Sequence, residues 1–420
     1  MNTTSTINPA AKELSLNECW RNYKLMRQRI ACEVLGRLDD TPNSPGTIDL
    51  LLQALFADGH VLLEDFPGSG KSFMCDKLGK CIEDDIIESR TLDYSQLSES
   101  PDRPNIEAFK RIQCTPDLLP QDLHSIIGAN GTWSPGAIFA HVLMVDEINR
   151  TGPKVQSGLL QAMAERHVSI DGVDKQLGDV FFVIATQNPL DQAGTYPLPA
   201  AALDRFLFKR VFKPIEGAAL VKIMLGWSKT KPATVSAFDE WSKASSGSNA
   251  LATADSTSVE PESFGKIKIS QLQDSQSSLE RLCGVHPSLI NGLLLMREKI
   301  SQIVDDSSSQ PGIIPLKPGS VPSARALQWL VRCLKVLAFV EEGLSLKDGE
   351  EFKRSPVARI ELLPKIAPDF LRHRLLPRKG GVTPEQLDEF IRKLAKEVVA
   401  DIQAGKLPKW VVAEIQAGMS

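Results

Sequence analysis

Five short segments place acids, amides and cations where apolar runs end. The first is HVLLEDFPGSGKS, from His60 to Ser72. An apolar run there breaks into a turn of small residues, Pro67, Gly68, Ser69 and Gly70, and ends in Lys71-Ser72. Such a turn lets backbone N–H groups converge on an anion, and the helix that follows aims its positive end at the same point. Lys71 would reach the β- and γ-phosphates of a nucleotide, and the Ser72 hydroxyl would ligate Mg²⁺. The general pattern is GxxxxGK[ST], and Asp65 stands here in place of its first glycine. The segments that follow must therefore support the phosphate-loop reading.

The second segment, HVLMVDEINR (141–150), is a core-type strand that ends in two carboxylates. In an ATPase these two divide the work. Asp146 holds Mg²⁺, and Glu147 polarises the attacking water as general base. The third, FFVIATQNP (181–189), delivers Asn188 to the end of another apolar run, where it can bond the attacking water or the γ-phosphate. Asn-Pro at a strand end also makes a simple turn. The fourth, ALDRFLF (202–208), sets Arg205 among apolar residues. It can pack its stem and expose its head, or serve as an arginine finger for the ATP of a neighbouring subunit. The fifth, GSVPSARALQWL (319–330), offers Ser323 as an N-cap, with Arg325 in the first turn of the helix. A cation there opposes the helix dipole, which suggests an anionic partner such as the γ-phosphate.

These residues need a scaffold that brings strand ends together. Up to about residue 214, apolar runs at His60–Glu64, Ile86–Leu92, His141–Asp146, Phe181–Thr186 and Phe206–Val211 alternate with helical patterns. That is the signature of a parallel sheet covered on both faces by helices, and open sheets of this kind bind ligands at their carboxyl edge. Residues 1–16 read as a disordered tail, 17–214 as the α/β core with an opening helix over 17–38, and 215–420 as a helical domain. Within the last, about 229–278 is rich in Ser, Thr and Ala and reads as a mobile insertion with a short helix around Trp241. Helical patterns resume at 287–304, 324–342, 366–375 and 384–404.

Composition narrows the classes. With 42% hydrophobic residues among 420, the chain can bury a sizeable core and form two domains. A net charge of −4 argues against a sequence-independent grip on nucleic acid. Seven scattered cysteines without a CxxC pair give neither a disulfide framework nor a zinc knuckle. The polar N-terminus lacks the layout of a signal peptide, and no apolar run approaches the roughly 18 residues of a membrane span. A cytoplasmic protein is expected.

Taken together, the segments resemble the MoxR family of AAA+ ATPases. The stretches that carry the resemblance are GHVLLEDFPGSGKS (59–72), RIQCTPDLLPQDL (111–123), DEINRTGPKVQSGLLQAMAERHVSIDG (146–172), ATQNPLDQAGTYPLP (185–199) and LDRFLFK (203–209), continued by SVPSARA (320–326) and IAPDFLRHRL (366–375). The resemblance implies an AAA+ P-loop αβα sandwich with a five-stranded parallel sheet, followed by a helical lid. It assigns Lys71 and Ser72 to Walker A, Asp146 and Glu147 to Walker B, Asn188 to sensor 1, Arg205 to the arginine finger and Arg325 to sensor 2. ATP and Mg²⁺ follow as substrate and cofactor. It further implies a homo-oligomer, usually a hexameric ring, with a chaperone-like role in remodelling, assembling or metallating a client complex, often beside a von Willebrand factor A domain protein. Family relatives carry one hairpin before the Walker B strand and another before sensor 1, and RHVSIDGVDKQLGDVF (166–181) suits the second. Asp65 is a common variant within this family.

The chain departs from the family pattern at Ala200-Ala201-Ala202, at Ala324 and in the length of its insertion. A DxSxS string at Asp305 follows a helical pattern and reads as a Ser-rich loop. Arg372 and Arg374 are expected to pair with acids or a neighbouring subunit. His373 is expected to make a lid contact, and Trp133 and Trp329 to pack. The rival readings are a nucleic-acid motor, a magnesium-chelatase-type motor subunit, a non-hydrolysing ATP-binding scaffold and a small-molecule kinase. The charge balance speaks against the first, the wording around 111–119 and 185–199 against the second, and the intact acids and arginines against the last two.

Overall fold

The computed structural model describes residues 12–33, 46–64, 70–83, 108–127, 133–170, 173–178, 180–188, 194–211, 265–305, 313–347, 349–378 and 381–407. The chain opens with α1 (Leu16–Glu33) and α2 (Thr47–Phe56), then enters β1 (Val61–Glu64), α3 (Lys71–Lys80) and the short β2 (Ile82–Glu83). Next come β3 (Phe109–Gln113), α4 (Pro120–His124), a hairpin of β4 (Ser125–Ile127) and β5 (Trp133–Pro135), and β6 (Val142–Asp146). The first half finishes with α5 (Pro153–Glu165), a hairpin of β7 (His167–Ile170) and β8 (Val173–Gln176), β9 (Phe182–Gln187), α6 (Ala200–Leu203) and β10 (Phe208–Val211). The second half holds β11 (Ile267–Lys268), α7 (Ile269–Leu282), β12 (Gly284–Val285), α8 (Pro287–Asp305), α9 (Ala324–Ser345), β13 (Val357–Ala358), α10 (Leu363–Leu371) and α11 (Pro384–Gln403).

Five parallel strands form the central sheet in the order β10-β1-β9-β6-β3. The three inner strands are buried on both faces, which is why they read as unbroken apolar runs. Their side chains alternate between two cores. Val61, Leu63, Val142, Met144, Phe182 and Ile184 join one cluster with α1, α2, α3 and the C-terminal helices. Leu62, Leu143, Val145, Val183 and Ala185 join the other with Leu159 and Met163 of α5. This is an AAA+ αβα fold, with a helical C-terminal region on one face of the sheet. Hairpins stand before β6 and before β9, where the family pattern places them. The connecting Asp171-Gly172 lies outside the described residues.

Three expectations change. The fifth strand is Phe109–Gln113, whereas Ile86–Leu92, read as a strand from its apolar run, lies outside the described residues. FKRIQ escapes a hydrophobicity search because it is an edge strand with polar residues at three of its five positions. The Ser-rich stretch does not stay irregular to residue 278, because β11 and α7 begin at Ile267 and Ile269. Ser275 and Ser278 are fully buried on α7, and their small side chains let α1 approach closely. The Ser275 hydroxyl donates to Gln271 O (2.7 Å) and accepts from Asn22 Nδ2 (3.0 Å), while Ser278 Oγ accepts from Leu14 N (2.9 Å). Those bonds also pin residues 12–16, the end of the expected tail. Residues 1–11, Trp241 and 245–258 lie outside the described residues.

Elsewhere the helical patterns are met within a few residues at α1, α8, α9, α10 and α11. Several begin on capping side chains. Ser323 Oγ accepts from Ala326 N at 3.1 Å to start α9, and Thr383 with Gln386 forms a reciprocal capping box on α11. Cys19, Cys75, Cys81, Cys114, Cys283 and Cys333 are buried free thiols. No helix among the described residues is long and apolar enough to cross a membrane.

Candidate nucleotide site at the carboxyl edge of the sheet

The carboxyl ends of β1, β9 and β6, at Glu64, Gln187 and Asp146, lie side by side on one rim of the sheet. After β1 the chain reaches Gly70 in the left-handed region (φ 84°), a conformation that suits glycine. Helix α3 starts immediately at Lys71, so Lys71 and Ser72 occupy the first turn at its positive end. Asp65, Pro67, Gly68 and Ser69 lie outside the described residues.

Ser72 Oγ donates to Asp146 Oδ2 at 3.2 Å, across 74 residues of sequence. Thr186, on β9, donates to Asp146 Oδ1 at 2.5 Å, and its hydroxyl oxygen accepts from Glu147 N at 2.9 Å. Arg111 Nη2, from the edge strand, donates to Asp146 Oδ2 at 2.6 Å. Burial works to raise the Asp146 pKa, but the Thr186 and Arg111 bonds outweigh it and leave the carboxyl below its ordinary value. Asp146 is therefore an anion at neutral pH.

Glu147 follows in the left-handed region (φ 57°, ψ 50°), which costs a non-glycine residue on the order of 1 kcal/mol. The Thr186 bond and the turn closed by Arg150 N on Glu147 O (2.8 Å) hold it there. Its Oε2 accepts from Gln113 Nε2 at 2.9 Å and pairs with Arg150 Nε at 3.1 Å. Asn188 continues from β9 beside this turn, where its carbonyl accepts from Asn149 Nδ2 at 3.3 Å. Glu64, at the end of β1, binds Gln187 Nε2 and Lys209 Nζ, each at 2.8 Å, tying three neighbouring strands together.

Gly70, Lys71, Ser72, Asp146, Glu147 and Asn188 thus meet at one edge. Arg205 and Arg325 do not join them. Arg205 lies in the turn after α6, its Nη1 donating to Ala201 O (2.7 Å) and its Nε buried without an acceptor. Arg325 is exposed at the second position of α9. Arg374 pairs with Asp204 and Arg372 with Asp388, as acid partners were expected. His373 bonds Phe206 O at 3.0 Å, and Trp329 packs edge-on against the His60 ring. The side chain of Trp133 lies outside the described residues.

Thr186, Gln113 and Arg111 were missed in the sequence. A threonine interrupting the run FFVIATQ is the one signal that pointed to the first.

A hydroxyl and a carboxylate within 3.2 Å form a hard-oxygen donor pair suited to Mg²⁺. Among the described residues, no group of three or more His, Cys, Asp or Glu could hold a metal ion. Mg²⁺ usually takes one or two protein ligands and completes its shell with water and phosphate oxygens. Arg111 bonds the same carboxylate oxygen as Ser72.

Residues 91–208 match the family described as ATPase family associated with various cellular activities (AAA). Uncharacterized protein YeaC of Bacillus subtilis is 48% identical over 165 residues, 38% of this chain and 44% of its own length. Chaperone MoxR1 of Mycobacterium tuberculosis is 38% identical over 170 residues, 39% of this chain and 38% of its own. Protein MoxR of Methylorubrum extorquens is 32% identical over 200 residues, 45% of this chain and 49% of its own. The chain spans under half the length of each of these relatives. A crystal structure from Cytophaga hutchinsonii, named as a candidate ATPase, shares the fold with a TM-score of 0.61 at 22% identity, covering 90% of this chain and 95% of that one. The family model over residues 91–208, the relatives named MoxR and the shared fold together support a MoxR-family AAA+ ATPase.

Proposed function

We propose that the chain binds ATP at the carboxyl edge of the sheet and hydrolyses it to ADP and phosphate. The observation that supports this reading is the convergence of Ser72 and Thr186 on Asp146, with the Glu147 amide bonded to the same threonine, beside the positive end of α3. Lys71 binds the β- and γ-phosphates. Ser72 and Asp146 would hold Mg²⁺, which when bound would offset the charge developing on the phosphates. Glu147 takes a proton from water as that water attacks the γ-phosphorus, and Asn188 orients the water. The bond to the β-phosphate oxygen breaks, and ADP leaves.

Arg205, whose Nη1 bonds Ala201 O, serves the ATP of a neighbour in a homo-oligomeric ring, usually hexameric in this family. An arginine supplied this way contributes about 10³–10⁵ in rate, roughly 4–7 kcal/mol. Arg325 contacts the γ-phosphate, so its helix responds to hydrolysis. The work done is chaperone-like remodelling of a client complex, with a von Willebrand factor A domain protein as partner. The relative named Chaperone MoxR1 supports the chaperone part.

Two variants test this. Lys71→Ala should lose binding of a fluorescent ATP analogue, and undiminished binding would remove Lys71 from the phosphate site. Glu147→Gln should hold ATP without turnover. Affinity capture with it in ATP should then retain a client that the ADP state releases. Equal capture in both states would argue against ATP-driven remodelling.

A further inference from the structure

The turn that follows Asp146 is held by a buried amide as well as by Thr186. Gln156, 3% exposed on α5, directs its Nε2 at three carbonyls: Ile148 O (3.3 Å), Thr151 O (3.2 Å) and Tyr196 O (2.9 Å). Two of these belong to the turn itself, which is also closed by Arg150 N on Glu147 O at 2.8 Å. At its other end the Glu147 amide is held by the Thr186 hydroxyl. The turn 147–151 is thus fixed at both ends by side chains from outside it.

Asn149 lies within that turn, is buried, and bonds the segment that follows β9. Its carbonyl accepts from Tyr196 N at 2.6 Å, and its Nδ2 donates to Asn188 O at 3.3 Å. One residue therefore grips that segment at two points, one of them the backbone of Asn188. Asn149 Oδ1 is buried and meets no donor among the described residues. Burying such an oxygen costs stability, which offsets what the Nδ2 bond contributes. The amide adds little net stability, and what it does fix is Asn188.

We propose that Asn149 is a positioning residue for hydrolysis, setting where Asn188 stands relative to Glu147. This rests on the reading that Asn188 orients the attacking water and Glu147 takes its proton. The turn 147–151 supplies a rigid reference, and the Asn149 bond transfers its position to the Asn188 backbone. Two groups from different strands that must meet one water are thereby placed from a common frame. Misplacing such a group by about 1 Å can cost on the order of 100-fold in rate. ATP affinity is set elsewhere, at Lys71 and the phosphate loop, so loss of the Asn149 bond falls on kcat.

Asn149→Leu removes the donor and the unpaired oxygen while keeping the volume, and Asn149→Ala guards against misfolding of the first. Each should lower kcat about 10-fold or more, with fluorescent-ATP affinity within about 2-fold of the wild type. The melting temperature of Asn149→Leu should stay near that of the wild type. A double-mutant cycle with Asn188→Ala reads whether the loss passes through Asn188. Once the Asn188 side chain is gone, either change at Asn149 should cost less than about 2-fold more in kcat. Undiminished kcat in both single variants, even with a lower melting temperature, would make the residue merely structural. Equal fold losses in both backgrounds would show that it acts apart from Asn188. Either result overturns the proposal. The underlying reading fails separately: full kcat in Asn188→Ala would remove Asn188 from water placement, whatever the Asn149 variants do.

Discussion

The Thr186 hydroxyl donates to the Asp146 carboxylate and accepts from the Glu147 amide, so one small group fixes both acids of the site. Thr186→Val keeps the shape and removes both bonds. It should lower kcat about 100-fold with a smaller change in nucleotide affinity, because the base loses its placement. Steady-state kinetics beside nucleotide binding measures that split. Arg111 bonds Asp146 Oδ2, and on the proposed reading it would compete there with Mg²⁺, so Arg111→Ala should lower the Mg²⁺ concentration needed for half-maximal nucleotide binding. A higher requirement would mean that Arg111 helps to hold the ion. The acids and the Lys71-Ser72 pair were legible because strand ends and Gly-rich turns have local signatures. Arg111 and Gln113 were not, because they reach the acids through the pairing Gln113↔Asp146, a register that no spacing along the chain encodes.

At the scale of elements, β3 carries Arg111 and Gln113 to the site, and Phe109 seats that strand on α3. A Cβ at Gly79 of α3 would lie 2.3 Å from the Phe109 ring. Alanine in a helix interior is intrinsically favoured over glycine by up to about 1 kcal/mol, whereas forcing atoms into a packed contact costs about 1–3 kcal/mol. Gly79→Ala should therefore be destabilising in urea denaturation and should slow hydrolysis by displacing Gln113 from Glu147. A stabilised variant would mean that the ring moves aside freely. The helices α8, α9 and α11 were readable because their apolar faces keep a regular period and two of them start on capping residues. Helix α7 was hidden by its composition. Its buried serines are there for close packing and for bonds to α1, and in a sequence they look like a linker.

At the scale of the molecule, the sheet, α1, α2 and the C-terminal helices share one hydrophobic cluster, and buried neutral histidines sit near its seams. His60 Nδ1 accepts from Val183 N while Nε2 faces Met163 O, and burial lowers its pKa to about 3. Burial lowers His373 in the same direction. Between pH 6.5 and about 3 the unfolded chain binds more protons at His60 than the native state does, so stability rises with pH across that window and its full value is present above it. At pH 5 the loss from His60 alone is about 2 kcal/mol. Melting temperature should fall from pH 7 to pH 5, and His60→Gln should flatten that slope; an equal slope in the variant would remove His60 as a source.

The central claim is that Glu147 is the base for ATP hydrolysis in a site built around Asp146 and Ser72. Phosphate release from ATP by the purified protein and by Glu147→Gln, at matched nucleotide occupancy, tests it most directly. Mg²⁺-dependent release by the wild type and loss of about 100-fold or more in the variant is the expected result. Undiminished release by Glu147→Gln would contradict the account.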